Sequence, residues 1–411
     1  ANIVAHSAEG LDLLLLDAPH LFARPGNPYV DGNGHDHGDN HIRFGALSKA
    51  AGLIAQQGLG DWTPDILHAH DWQAGLAPVY MRLGEGTGAK AVTTIHNIAF
   101  QGCFPGHAVR DLWLPLEHFH RESFEYYGAV SFLKGGLMWS DKITTVSPTY
   151  AREITTPTYG LGFEGILASR RGDLAGILNG VDLDVWDPAT DTALAKTYAA
   201  GDTAGRAANR RRLVDHFALS LPDDAPLFCI VTRLTAQKGV DLLLGALPRL
   251  LSHGAGLVAL GSGDPRLEMG LSAAAHHHPQ RVGVKIGYDE GLSHLMQGGA
   301  DAIIIPSRFE PCGLTQLYGL RYGCLPLVAR TGGLADTVID ANEAAITANV
   351  ATGFQFSPVT VDALGDAIDR ACEAFADKAL WRAMMDNAMA QPVGWDRSAD
   401  AYLALYEDAR R

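Results

Sequence analysis

At 411 residues the chain is too long for a single hydrophobic core, so two domains are expected. Hydrophobic residues make up 47% and charged residues 19%, as in a globular protein; the net charge of -14 argues against a nucleic acid or anionic membrane as partner and leaves a neutral polysaccharide open. Cys103, Cys229, Cys312, Cys324 and Cys372 are scattered, odd in number and without CxxC spacing, which excludes a disulfide framework or zinc site and suits a reducing compartment.

In chain order, Leu11–Leu16 reads as a strand, and it is far too short to span a membrane. No basic-then-apolar leader precedes it, so the protein reads as cytoplasmic. Arg24 to Asn40 is a long polar loop, followed by a helix from Ile42 to Gln57. A short strand, Asp65–His68, runs into His70-Asp71-Trp72, and a helix from Gln73 to Leu83 follows. Strand Ala91–Ile95 runs into His96-Asn97. A helix is expected over Phe124–Trp139, with Lys134-Gly135-Gly136 inside it. No strand precedes that triplet, so it is not a phosphate-binding loop. Strand Lys142–Val146 leads to Ser147-Pro148, a cap and first-turn proline. Thr190–Gly205 is polar and Ala-rich, as in an interdomain stretch.

A second series starts at Leu227. Strands Leu227–Thr232, Gly256–Leu260, Val282–Ile286, Ala302–Ile305, Leu325–Ala329 and Gly353–Phe356 alternate with helices, and three further helices close the chain. The two blocks predict two doubly wound α/β domains with parallel sheets, one over 1–220 and one over 225–394, with 395–411 as a final helix. Polar residues worth testing fall mostly at carboxyl ends of strands. Ligands bind there in open α/β sheets, and two such domains facing each other would form a cleft.

Glu310 follows a buried strand and precedes a helix opening at Gly313. It fits either a catalytic carboxylate or a cap favoured by the helix dipole. The amides of Gly313, Leu314 and Thr315 could hold a diphosphate. Arg233 and Lys238 flank one strand-end loop and fit a cationic clamp on phosphate or a solvated pair. His96 and Asp71 could contact a sugar or form a structural hydrogen bond. Cys312 is a reactive thiol or a small buried residue. Tyr288 could stack on a base or cover apolar surface. Thr331-Gly332-Gly333 could hold phosphate or make a tight turn. His68 and His70 share a strand face, but no third ligand stands at metal-site spacing.

Five stretches occur in a distinctive order: His68-Ala69-His70-Asp71-Trp72-Gln73, Thr94 to Gly102, Asn179-Gly180-Val181-Asp182, Arg233 to Gly239, and Arg308 to Gln316. With Thr331 to Asp336, they resemble the bacterial glycogen synthases and plant starch synthases over essentially the whole chain. The resemblance implies a GT-B fold, two Rossmann-like domains facing a cleft, with the last helix crossing back to the first domain. It implies transfer of glucose from ADP-glucose to the non-reducing 4-hydroxyl of glycogen or another α-1,4-glucan, with retention and without metal or cofactor. By motif, Arg233 and Lys238 resemble the diphosphate-binding pair and Glu310 the acidic residue facing the donor glucose. Gly313, Leu314 and Thr315 would hold the diphosphate beside Cys312, with His96, Asn97 and Asp71 near the donor sugar and Tyr288 against adenine.

One departure is visible. The family's first strand and its Lys-Thr-Gly-Gly-Leu-Ala-Asp loop have no counterpart here, so the first βα unit of the N-terminal domain is expected to be missing, and such a fragment is expected to be less stable and to have little or no synthase activity. An inactive glucan-binding fragment is therefore an alternative, and because these motifs specify base and acceptor poorly, so is a GT-B transferase for another nucleotide sugar. A phosphorylase is disfavoured because no lysine stands in a recognisable pyridoxal phosphate context.

Overall fold

The structure, a computed structural model, describes residues 1–85 and 89–411. Its strands are β1 (Asn2–Ala8), β2 (Leu11–Asp17), β3 (Ile66–His70), β4 (Lys90–Ile95), β5 (Cys103–Pro105), β6 (Glu125–Tyr126), β7 (Ala129–Ser131), β8 (Lys142–Thr145), β9 (Leu174–Gly176), β10 (Leu227–Val231), β11 (Gly256–Gly261), β12 (Val282–Ile286), β13 (Ala302–Ile305), β14 (Leu325–Ala329) and β15 (Phe354–Phe356). Packing divides the chain into two compact units. One comprises 1–146, 151–177 and 401–411, and the other 147–150 and 178–400.

In the first unit, β3, β4, β8 and β9 form a four-stranded parallel sheet in that order. Strand β4 is buried along nearly its whole length and carries hydroxyls inward. Those hydroxyls are satisfied, as burial requires: Thr93 pairs with Ser140 at 2.7 Å and Thr94 with Thr144, while Thr145 of the adjacent β8 donates to the Ile95 carbonyl at 2.7 Å. The hairpin β1–β2 is antiparallel and pairs only with itself, and β3 is an edge of the main sheet.

The expected long helix over Phe124–Trp139 is shorter. Residues 125–131 instead form β6 and β7 of a small antiparallel sheet with β5, and the helix spans Phe132–Trp139, capped by Ser131. A strand does therefore precede Lys134-Gly135-Gly136. Lys134 is nonetheless turned inward, donating to the carbonyls of Arg121 at 2.6 Å and Glu125 at 2.5 Å.

The second unit is a six-stranded sheet in the order β12-β11-β10-β13-β14-β15, all parallel. Its strands are continuous apolar runs because both faces are covered. Successive residues serve opposite cores. Phe228, Ile230, Leu257, Ala259, Ala302 and Ile304 join the core under helices Val240–Ser252 and Val361–Ala376. Leu227, Cys229, Val258, Leu260 and Ile303 join the core under helices Arg206–His216 and Glu290–Gly299. Helix Arg206–His216 is thus a layer of this sheet, and Leu178–Ser220, expected with the first domain, packs with the second. Arg206, which is buried, donates to the carbonyls of Tyr322 at 2.5 Å and of Ala300. The final helix, Asp396–Arg410, begins in the second unit, and its residues from Ala401 on belong to the first.

Candidate functional site

The order of the second sheet locates its ligand-binding end. Strands β10 and β13 are neighbours, and the chain leaves them toward opposite edges, so a crevice opens at their carboxyl ends. Two loops meet there. Gly239, in the left-handed region at φ 67°, ends the loop after β10, and a Cβ on it would lie 2.0 Å from the Pro306 carbonyl oxygen. The Arg308 amide donates to the Gln237 carbonyl at 2.8 Å, and the Gln237 side chain donates to the Phe309 carbonyl at 3.1 Å. These bonds bring Lys238 Nζ to 2.5 Å from Glu310 Oε2, which also accepts from Ser307 Oγ at 2.9 Å. Glu310 is 6% exposed. A buried carboxylate that is both paired and hydrogen-bonded is stable in place.

A cavity here is lined by Thr232, Lys238, Ser307, Glu310, Gly313, Leu314 and Thr315. Gly313 has φ 72°, and a Cβ there would meet the Gln316 side-chain oxygen at 2.3 Å. Helix Thr315–Tyr322 starts with no side-chain cap, so its first amides have no side-chain acceptor. Cys312 is buried, and burial pushes its thiol up to about 11, so it is an apolar filler rather than a nucleophile. The Thr331-Gly332-Gly333 turn packs beneath this loop. A Cβ on Gly332 would sit 1.9 Å from the Glu310 carbonyl oxygen, and one on Gly333 2.1 Å from that of Cys312. The two glycines permit close backbone approach, and Gly333 N–H donates to the Glu310 carbonyl at 3.1 Å.

A second, larger cavity of about 360 Å³ adjoins the end of β10. Arg233, Ser262, Tyr288, Glu290, Thr315, Tyr318 and Trp186 line it. Thr315 borders both cavities. Tyr288 is 84% exposed, and its hydroxyl donates to Glu290 at 3.2 Å. The sequence reading missed Ser307, Gln316, Trp186 and Tyr318. Ser307 was visible as a hydroxyl three residues before Glu310; the aromatic pair carried no spacing signal.

In the first unit, β3 and β4 end side by side. Asp71 does not bond the His96 ring. Its Oδ1 accepts the backbone N–H of His96 at 2.7 Å and that of Asn97 at 3.4 Å, pinning the turn after β4. Burial raises the Asp71 carboxyl, and these two amides partly offset the rise. Asn97 itself accepts from the Ala99 amide at 3.0 Å. The His96 ring meets His70, Nε2 to Nδ1, at 2.9 Å. His68, stacked on His70 with centroids 4.2 Å apart, bonds Thr94 Oγ1 at 2.6 Å and Tyr406 OH at 2.7 Å. Burial and the two neighbouring histidines lower His68 to about 3, so it is neutral. Among the described residues, no group of three or more His, Cys, Asp or Glu is arranged to hold a metal.

Doubly wound parallel sheets with polar strand ends serve many chemistries, and it is the comparisons with known proteins that make this chain a glycosyltransferase of the GT-B class. Residues 1–169 match the starch synthase catalytic domain family and residues 212–383 match glycosyl transferases group 1. The chain is 58% identical over 407 residues to a glycogen synthase of Roseobacter denitrificans, covering 99% of this chain and 85% of that one. It is 53% identical over 407 residues to glycogen synthase 1 of Rhizobium meliloti, with the same shares covered. The catalytic domain of starch synthase IV from Arabidopsis thaliana, solved bound to ADP and acarbose, superimposes with a TM-score of 0.87 at 32% identity, over 99% of this chain and 84% of that one. The chain belongs to the glycogen synthase family and is a glucosyltransferase that takes a nucleotide-sugar donor and a glucan acceptor. Among the described residues, no helix is long and apolar enough to cross a membrane.

Proposed function

We propose that the chain transfers glucose from ADP-glucose to the 4-hydroxyl at the non-reducing end of glycogen or a related α-1,4-glucan, with retention of configuration. The observation that carries this is the cavity at the β10–β13 junction, where Lys238 and Glu310 stand beside the open start of helix Thr315–Tyr322. Support for ADP comes from the starch synthase IV structure, whose bound ligands are ADP and acarbose.

In this reading Lys238 and Arg233 neutralise the leaving diphosphate, and the Gly313, Leu314 and Thr315 amides hold its oxygens. Glu310 offsets positive charge on the oxocarbenium-like sugar. The departing phosphate oxygen takes the acceptor proton as the new bond forms on the same face. No side-chain base is then required, which suits a cavity whose one carboxylate is already paired. His96, with Asn97 and the Asp71-pinned turn, contacts the donor sugar, and Tyr288 lies against the base. A cytoplasmic location belongs to the same proposal, supported by five cysteines that are all unpaired.

The test is a donor comparison on the full-length protein with glycogen as acceptor. ADP-glucose is expected to be used at least about tenfold more efficiently than UDP-glucose, a difference that base contacts can supply. Equal use of both, or preference for UDP-glucose, contradicts the donor assignment.

A further inference from the structure

Three rings of the second unit form a ladder beside the larger cavity. The Trp186 ring lies 3.7 Å from the Tyr318 ring at an interplanar angle of 9°, and 3.8 Å from the His294 ring at 14°. Two near-parallel rings that close to one centroid cannot share a face, so His294 and Tyr318 cover opposite faces of Trp186. The far rung is anchored by hydrogen bonds. His294 Nδ1 is 2.7 Å from Asp191 Oδ2, which also accepts the Tyr322 hydroxyl at 2.6 Å, and all three are buried. Burial alone would raise the Asp191 carboxyl; hydrogen bonds from His294 and Tyr322 more than offset this and hold it below the usual range.

Trp186 is 9% exposed, and with both faces taken it offers the cavity only an edge. Tyr318 is the half-buried rung in the cavity wall, close to Tyr288 and Glu290. A ring fixed this way loses little freedom when a flat ligand stacks near it. Stacking also rewards area, so a two-ring base gains more than a one-ring base.

We infer that Trp186, clamped between His294 and Tyr318, is a positioning residue that sets the preference for a purine nucleotide by fixing the Tyr318 ring in the wall of the base pocket. This rests on the reading that the cavity takes the donor's base. Nothing in the catalytic step itself requires Trp186.

The test measures dissociation constants of ADP, UDP and inorganic pyrophosphate for the full-length protein and its variants. Trp186→Leu is expected to weaken ADP roughly tenfold, the size of one lost base–aromatic stack, with UDP affected less and pyrophosphate unchanged. Trp186→Phe, which keeps a flat ring, should restore most of the ADP:UDP ratio. Tyr318→Leu should lower that ratio too, and it carries the test if Trp186→Leu does not fold. An unchanged ADP:UDP ratio in a folded variant, even with weaker binding overall, overturns the inference and leaves the donor reading standing. If the unaltered protein binds neither nucleotide, both fall.

Discussion

Two polar side chains in this molecule, Glu310 buried and His68 half-buried, serve different ends. Glu310 is held at the loop junction by Lys238 and Ser307. His68 stays neutral, because burial and the neighbouring His70 and His96 disfavour its charge and its two hydrogen-bond partners are hydroxyls. That neutrality has a pH signature. The His68 pKa falls from 6.5 unfolded to about 3 folded, and His70 is lowered as well, mainly by burial. Below pH 6.5 the unfolded chain takes up protons that the folded one refuses, so stability is full above that value and is lost as pH falls toward 3. The melting temperature should therefore drop between pH 7 and 5, and His68→Gln should flatten that drop. An equally steep drop in the variant would assign it to other groups.

At the level of elements, the site depends on loops that lie on one another without side chains between them. Gly332 is the sharpest case, at φ 43° with the Glu310 carbonyl where a Cβ would go. Gly332→Ala is expected to destabilise the protein by about 1–3 kcal/mol, the usual cost of backbone strain of this kind, and to lower transfer activity by displacing Glu310. Unchanged stability and activity would mean that the turn relaxes freely.

The alternating apolar runs and polar loops of the second series announced its sheet. So did the positions of Arg233, Lys238 and Glu310 at strand ends. Three things were not legible. Strands β6 and β7 lie inside a stretch that reads as helix, because residues 125–131 are too few to display a two-residue period. The role of Thr331-Gly332-Gly333 lay in contacts with a loop twenty residues earlier. The ladder of Trp186, His294 and Tyr318 joins three segments with no shared motif, and only the tertiary fold brings it together. Asp71 was expected near His96 and is there, but it holds the backbone rather than the ring.

In the molecule as a whole, Lys238 and Glu310 belong to the second unit, and His96, Asn97 and Asp71 to the first. The heaviest demand falls on one carboxylate of the second unit. Glu310→Gln keeps the size and hydrogen-bonding shape of the side chain and removes only its charge. The most direct measurement is the rate of glucose transfer from ADP-glucose to glycogen by this variant of the full-length protein, with its ADP affinity measured in the same preparation. Transfer is predicted to fall by about 10²–10³, the range seen when one electrostatic group is taken from a transition state, while ADP binding changes little. Transfer within a fewfold of the unaltered protein would contradict the account and leave Glu310 as an anchor of its loop.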